Sequence, residues 1–364
     1  MIVLGGGILL ATAWVLAGAY NVAASAKHFY VTDRLLKLVL YRSVDTYSAG
    51  IEVPPLRDAG LVRLGARHFV TGCQPCHAGP GMDQSPIAAS MYPAAPALGN
   101  NVEDWESREL FWIVRHGLKF TGMPHWPGEG RDSEVWAVVA FLRELPKLSP
   151  QEYAELTRGP RSPGHGFPLD RPDLMAQCSG CHGDADNGPV ASLAPSLNGQ
   201  NTAYLIRALE EYAAGSRESG MMEPIAAALT ESAREQLAQE FGSFASPTPS
   251  PPDGDSAERD ARIARGAGIA RDGIAQQNIP PCLACHSPGK SGQFPRLEAL
   301  SEGYLIEQLN LFRDGTRSGT PYAEIMAPIA RRLTKDQIAD AAAYFSSVER
   351  GAREAPAAHA EARP

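Results

Sequence analysis

The first 26 residues, MIVLGGGILLATAWVLAGAYNVAASA, hold no charged side chain; charge begins only at Lys27. Roughly 20 apolar residues rising about 1.5 Å each cross a hydrocarbon core of about 30 Å, so this run predicts a transmembrane helix over 1–26. A cleaved signal peptide is the rival reading, because ASA at 24–26 is a small-x-small site. The run exceeds the ~7–15 apolar residues of a signal core, which favours a retained anchor. Lys27, Arg34, Lys37 and Arg42 follow the run and none precedes it, a bias that alone would place the body of the chain in the cytoplasm. The next stretch, HFYVTDRLLKLVLYR (28–42), has an apolar face with basic residues. It suits a helix leading into the first domain, or one that docks on a lipid surface or a partner helix.

Further on, helical periodicity recurs three times. In DSEVWAVVAFLREL (132–145), Val135, Val138, Val139 and Leu142 share a face behind a cap at Asp132 or Ser133. LTESAREQLAQEFGSF (229–244) and LTKDQIADAAAYFSSV (333–348) are its counterparts, and Thr334 with Gln337 forms a capping-box pattern. Earlier helices are expected in LVRLGARHFVTG (61–72) and ARIARGAGIARDGIA (261–275), whereas only DLMAQ (173–177) occupies that place in the middle of the chain. The middle unit is therefore expected to lean on a neighbour.

The text itself repeats. AYLIRAL (203–209) matches GYLIEQL (303–309), and MEPIAAALT (222–230) matches MAPIARRLT (326–334). Proline- and serine-rich segments at 158–172 and 245–257 read as linkers. The divisions that follow are 1–26 anchor, 27–59 connecting segment, 60–157, 158–244 and 258–350 as three units, 245–257 linker, and 351–364 tail.

Composition narrows the classes. The 364 residues carry a formal charge of −8 and no basic block, which excludes an ordinary nucleic-acid binder. With 35 glycines and 30 prolines, much of the chain should be loop.

All six cysteines fall in C-x-x-C-H strings: CQPCH (73–77), CSGCH (178–182) and CLACH (282–286). Two thiols three positions apart can add across the two vinyl groups of one porphyrin, and the adjacent histidine then lies under the iron. A redox dithiol or a zinc knuckle needs neither that histidine nor three copies. The reading is three covalently attached heme c groups on Cys73, Cys76, Cys178, Cys181, Cys282 and Cys285, with His77, His182 and His286 as proximal ligands. Heme is attached on the outer side of the bacterial inner membrane. That outweighs the charge bias: the expectation is an inner-membrane protein with a single N-terminal anchor and heme domains in the periplasm.

A thioether as the sixth ligand favours ferrous iron and leaves no open site. Met326 is the only methionine after the last motif, and His286 to Met326 spans 40 residues, as does His182 to Met222. Met222 is therefore the candidate of the middle unit and Met221 an apolar neighbour. In the first unit Met123, in a Gly-Met-Pro turn, is the best candidate; Met82 and Met91 are rivals, and His116 or His125 would give bis-histidine ligation.

An early helix, C-x-x-C-H, a loop, a distal methionine and a closing helix resemble the class I cytochrome c family, over roughly 60–147 and 172–350. The last two units resemble two-domain diheme cytochromes c, and the first, with GMPHW, resembles single-heme domains fused to respiratory complexes. Residues 23–56 resemble the N-terminal region of membrane-attached cytochromes that accompany heme–copper oxidases. The resemblance implies a mostly α fold, three cytochrome c-like helical heme domains behind an N-terminal transmembrane helix. It further implies an electron carrier rather than an enzyme, with redox protein partners: a relay toward a terminal oxidase, or the electron-accepting subunit of a dehydrogenase. A heme peroxidase would need one iron with an open distal position, yet every unit offers a methionine.

Overall fold

The structure, a computed structural model, describes residues 12–157, 171–245, 255–287 and 289–349. Among these residues the chain is helical, with no strand beyond an isolated bridge between Ile274 and Ile279.

The first unit begins with α1 (Tyr30–Ser48), which is docked rather than free along its C-terminal half. Val44 and Ser48 are fully buried, Tyr41 stacks on Trp105 at 4.8 Å and Tyr47 on Trp112 at 6.1 Å. Helix α2 (Ala59–His68) starts where the Asp58 carboxylate accepts from Leu61 N at 2.6 Å. It is followed by α3 (Ser107–His116), α4 (Asp132–Glu144) and α5 (Pro150–Thr157). Helix α4 has no side-chain cap: Asp132 pairs with Arg115, and Ser133 donates to Glu307 at 2.6 Å instead of capping. Val135, Val138, Val139 and Leu142 face a core with Phe69, Leu110, Phe111 and Phe141. Burying a phenylalanine such as Phe69 or Phe141 contributes about 1.5–3 kcal/mol.

The second unit contains α6 (Arg171–His182), α7 (Thr202–Ala213), α8 (Met222–Ala228) and α9 (Glu231–Ser243). The third contains α10 (Ser256–Asp272), α11 (Glu302–Asp314), α12 (Pro321–Arg332) and α13 (Lys335–Ser347). Thr334 and Gln337 cap α13 reciprocally, Thr334 Oγ1 accepting from Gln337 N and Gln337 Oε1 from Thr334 N.

In the outer units two helices, α2 with α4 and α10 with α13, cross so tightly that only glycine fits. A Cβ on Gly65 would fall on the carbonyl of Ala137, and one on Gly266 on that of Asp340. The middle unit builds no comparable crossing from α6, whose second half is the C-x-x-C-H string itself. Its heme-motif segment rests on the first unit: Leu64 and Ala137 pack with Ala191, against which Cys181, Val190, Leu193 and Met221 are laid. Hydrogen bonds also tie the second unit to the third. Gln200 Nε2 donates to Arg296 O at 2.8 Å, Arg296 N to Gln200 Oε1 at 2.7 Å, and Asn201 Nδ2 to Phe294 O at 2.7 Å.

The expected N-terminal anchor requires correction. Among the described residues no helix is long and apolar enough to cross a membrane. Residues 1–11 lie outside the described residues. Residues 12–16 are helical, but the chain then turns through Gly18 at φ +64° and stays non-helical to Phe29, where Tyr20 packs on Trp14, His28 and Phe29. The 19 residues of α1 carry Asp33, Arg34, Lys37, Arg42 and Asp45, too many charges for a span. The inner-membrane placement falls with that anchor. Most of the expected linkers and the tail (158–170, 246–254 and 350–364) also lie outside the described residues.

Candidate functional site

Each C-x-x-C-H string closes a helical turn, Gln74–His77 and Leu283–His286 as short helices and the middle one as the end of α6. In the first and last strings the first thiol is the deeper one, and in the middle string Cys178 and Cys181 are both half-buried. Burial pushes Cys73 and Cys178 up to about 12 and Cys282 up to about 11, so these sulfurs are neutral near pH 7. Cys76 and Cys285 are exposed.

The three histidines share one geometry. Nδ1 of His77 lies 2.8 Å from Pro96 O, that of His182 2.8 Å from Pro195 O, and that of His286 2.8 Å from Pro295 O. A carbonyl can only accept, so Nδ1 carries the proton and Nε2 is left with its lone pair for a metal. Burial lowers His182 and His286, against the opposing hydrogen bond to Pro195 and Pro295, which keeps both rings neutral. These prolines are site residues missed in the sequence. Their signal is the recurring Pro-x-Leu at 96–98, 195–197 and 295–297, the residues that follow each motif with a variable gap.

All six cysteines and three histidines border one connected cavity of about 1610 Å³, above the roughly 300–1,000 Å³ of a pocket for one ligand. Met123, Met222 and Met326 also line it, as do Met91, Met221 and His125; Met82 and His116 do not. Met123 sits in a turn closed by Leu118 N donating to Met123 O at 3.2 Å and Met123 N to Thr121 Oγ1 at 3.0 Å. The methyl of Met91 packs on Gly122 beside it. Met222 is the first residue of α8, and Met326 lies inside α12 against Phe312, Ala323 and Ala330. Met221 packs onto the first unit with Leu64 and Ala137.

Between the second and third units the cavity wall carries two guanidiniums, the buried Arg217 and the half-buried Arg317. Neither has a carboxylate partner among the described residues. Arg217 donates to Tyr204 Oη at 3.4 Å, Tyr304 Oη at 3.3 Å and Gln308 Oε1 at 3.2 Å; Arg317 donates to Gln308 Oε1 at 2.7 Å. Each also lies over an equivalent ring, Arg217 on Tyr212 at 4.5 Å and Arg317 on Phe312 at 4.4 Å. Burial and the neighbouring Arg217 lower Arg317. Burial opposes ionisation of Tyr204, yet the adjacent Arg217 and Arg317 outweigh it and draw the hydroxyl down to about 8. Two like charges drawn out of water without an anion are costly. The propionates of a bound heme c would supply negative charge there. Paired thiols, imidazoles oriented by carbonyls, thioethers and these cations together fit covalently bound heme.

Comparison with known proteins agrees with this chemistry. A family model described as cytochrome C oxidase, cbb3-type, subunit III matches residues 60–142. The thiosulfate dehydrogenase electron acceptor of Stutzerimonas stutzeri (strain A1501) is 32% identical over 227 residues, covering 62% of this chain and 95% of that protein. Cytochrome c4 of Pseudomonas aeruginosa is 31% identical over 177 residues, 48% of this chain and 84% of that protein. A solved cytochrome c4 from Acidithiobacillus ferrooxidans is 34% identical with a TM-score of 0.42, covering 47% of this chain and 98% of that one.

Proposed function

The chain belongs to the cytochrome c family, a family of covalently bound heme c, and on that premise we propose that it is a triheme carrier accepting single electrons from a dehydrogenase. It is an electron carrier, not an enzyme in its own right. The observation that carries the triheme reading is the histidine–proline pairing, made at the same 2.8 Å in all three motifs. In this reading the units are 60–157, 158–244 and 258–350, joined by 245–257. Cys73 and Cys76, Cys178 and Cys181, and Cys282 and Cys285 hold the three groups. His77, His182 and His286 are proximal ligands; Met123, Met222 and Met326 are distal.

When bound, heme c supplies reversible one-electron transfer between ferrous and ferric iron. The chain's own residues set the conditions. The carbonyls of Pro96, Pro195 and Pro295 fix each imidazole's tautomer and direction. The apolar wall excludes water, and Arg217 with Arg317 offsets buried negative charge. A relative that aligns over 95% of its own length is named a thiosulfate dehydrogenase electron acceptor, which supports a donor of that class. A second reading, a relay toward a heme–copper oxidase, is supported by the family match at 60–142.

The test mixes the oxidised holoprotein with thiosulfate dehydrogenase and thiosulfate in one stopped-flow arm. In another, the reduced holoprotein meets a cbb3-type oxidase and oxygen. Rapid reduction in the first arm supports the proposal. Rapid oxidation in the second with none in the first would replace it with the oxidase reading. Intact mass should show three hemes per chain.

A further inference from the structure

Glu134 is a buried carboxylate in the first unit whose hydrogen bonds run into the second. It is 6% exposed and every acceptor position is used. Oε1 accepts from Ser219 Oγ at 2.6 Å and from Arg131 Nε and Nη2 at 3.0 and 2.7 Å. Oε2 accepts from Gly220 N at 2.8 Å and from Trp126 Nε1 at 3.2 Å. Arg131 and Trp126 belong to the first unit; Ser219 and Gly220 are the turn that delivers Met221 and Met222.

The chain of bonds continues by one step. Ser219, fully buried, gives its hydroxyl proton to Glu134 and accepts from Met222 N at 3.0 Å with a lone pair. The Met222 amide heads α8, where backbone N–H groups have no partner inside the helix. Glu134 thereby fixes the rotor that caps the helix on which Met222 stands. Trp126 closes the same turn from outside: its indole lies where a Cβ on Gly220 would be, so only glycine admits it. Met221 is absorbed against Leu64 and Ala137, which leaves Met222 as the side chain free of that packing.

We infer that Glu134, a residue of the first unit, is a positioning residue for the distal methionine of the second, so that ligation in one unit depends on docking to another. The inference rests on the reading of Met222 as that ligand. Glu134→Gln keeps the shape but places an NH₂ group where only donors point, against Ser219 and Arg131 or against Gly220 and Trp126. Ser219→Ala removes the relay from the other side; it changes no residue of the first unit and costs Glu134 one of its donors.

The experiment compares holoprotein variants by the methionine–iron charge-transfer absorbance, by spectroelectrochemical titration and by hydrogen exchange over residues 219–224. Met222→Ala should remove about one third of that absorbance, one ligand of three. Glu134→Gln and Ser219→Ala should each weaken the same contribution, lower the same potential, and speed exchange at the Met222 amide roughly tenfold. The double variant should do little more than either single change, because both break one relay. Wild-type absorbance, potentials and exchange in Glu134→Gln, with the loss present in Met222→Ala, would overturn the inference and leave the ligand standing. No loss in Met222→Ala would overturn both. If Glu134→Gln fails to fold, Ser219→Ala decides by the same readouts.

Discussion

Arg217 and Arg317 donate to the same atom: Gln308 Oε1 accepts from Arg217 Nη2 at 3.2 Å and from Arg317 Nη1 at 2.7 Å. The two arginines hold equivalent places in the repeat, after Gly215 and Gly315, whose φ values of +68° and +86° turn the chain inward. A shared amide is weak compensation for a buried cation and a half-buried one. Replacing either arginine by leucine in the holoprotein should lower the reduction potential of an adjacent heme, because a positive charge that disfavours ferric iron is lost. Stability should fall by on the order of 2 kcal/mol, the scale of hydrogen bonds to a charged group. Spectroelectrochemistry and thermal unfolding check both; an unchanged potential would show that the cations face away from the hemes.

The adjacent methionines should separate cleanly. Met222→Ala is expected to lose one methionine–iron band and to lower one potential. Met221→Ala should keep the band and cost about 2–4 kcal/mol in thermal unfolding, because its side chain packs against Leu64 and Ala137. The reverse assignment would move the ligand by one residue.

His68 gives an acid-side prediction. Burial lowers its pKa to about 4, with Glu134 opposing, and its ring lies 4.7 Å from that of Trp126. The unfolded chain binds the proton first as pH falls, so this contribution is complete above about 6.5 and is lost between about 6.5 and 4. Over that window His68→Gln should lose up to about 3 kcal/mol less stability than the parent, in denaturant titrations at each pH. Parallel curves would show that His68 titrates normally.

Two glycines of α10 should respond with opposite sign. Gly266→Ala drives a methyl into the carbonyl of Asp340 and should cost about 1–3 kcal/mol. Gly268→Ala meets no atom within 4 Å and should gain up to about 1 kcal/mol from helix propensity. Thermal unfolding of the two variants side by side reads the difference directly.

Those features that depend on residue type and short spacing were legible in the sequence. The apolar face of 132–145 and the Thr334–Gln337 cap are local, and α4 and α13 form there. The cap read at Asp132 or Ser133 is absent because long-range partners, Arg115 and Glu307, claim those side chains. The histidine supports were hidden because a proline carbonyl is a backbone acceptor, which no side-chain identity announces. Nothing local sets Arg217 and Arg317 apart from ordinary surface charges until the fold turns both toward the cavity. Glu134 looks like any first-turn acid of a helix, since its partners lie 85 and 86 residues away. The apolar run before residue 27 misled through composition alone: hydropathy averages over the left-handed turn at Gly18 that diverts the chain.

The segment from Trp126 to Glu134 also reaches the third unit, through Ser133 and Glu307, and Gly130 lies close against Thr316. With Glu134 on Ser219 and Gln200 on Arg296, each unit borders both others. Neighbourhood in space is thus a closed triangle, although the peptide runs through it as a line. A backbone cut between the second and third units would leave the third still held by the first two, so chain continuity is not the sole means of keeping the three units together.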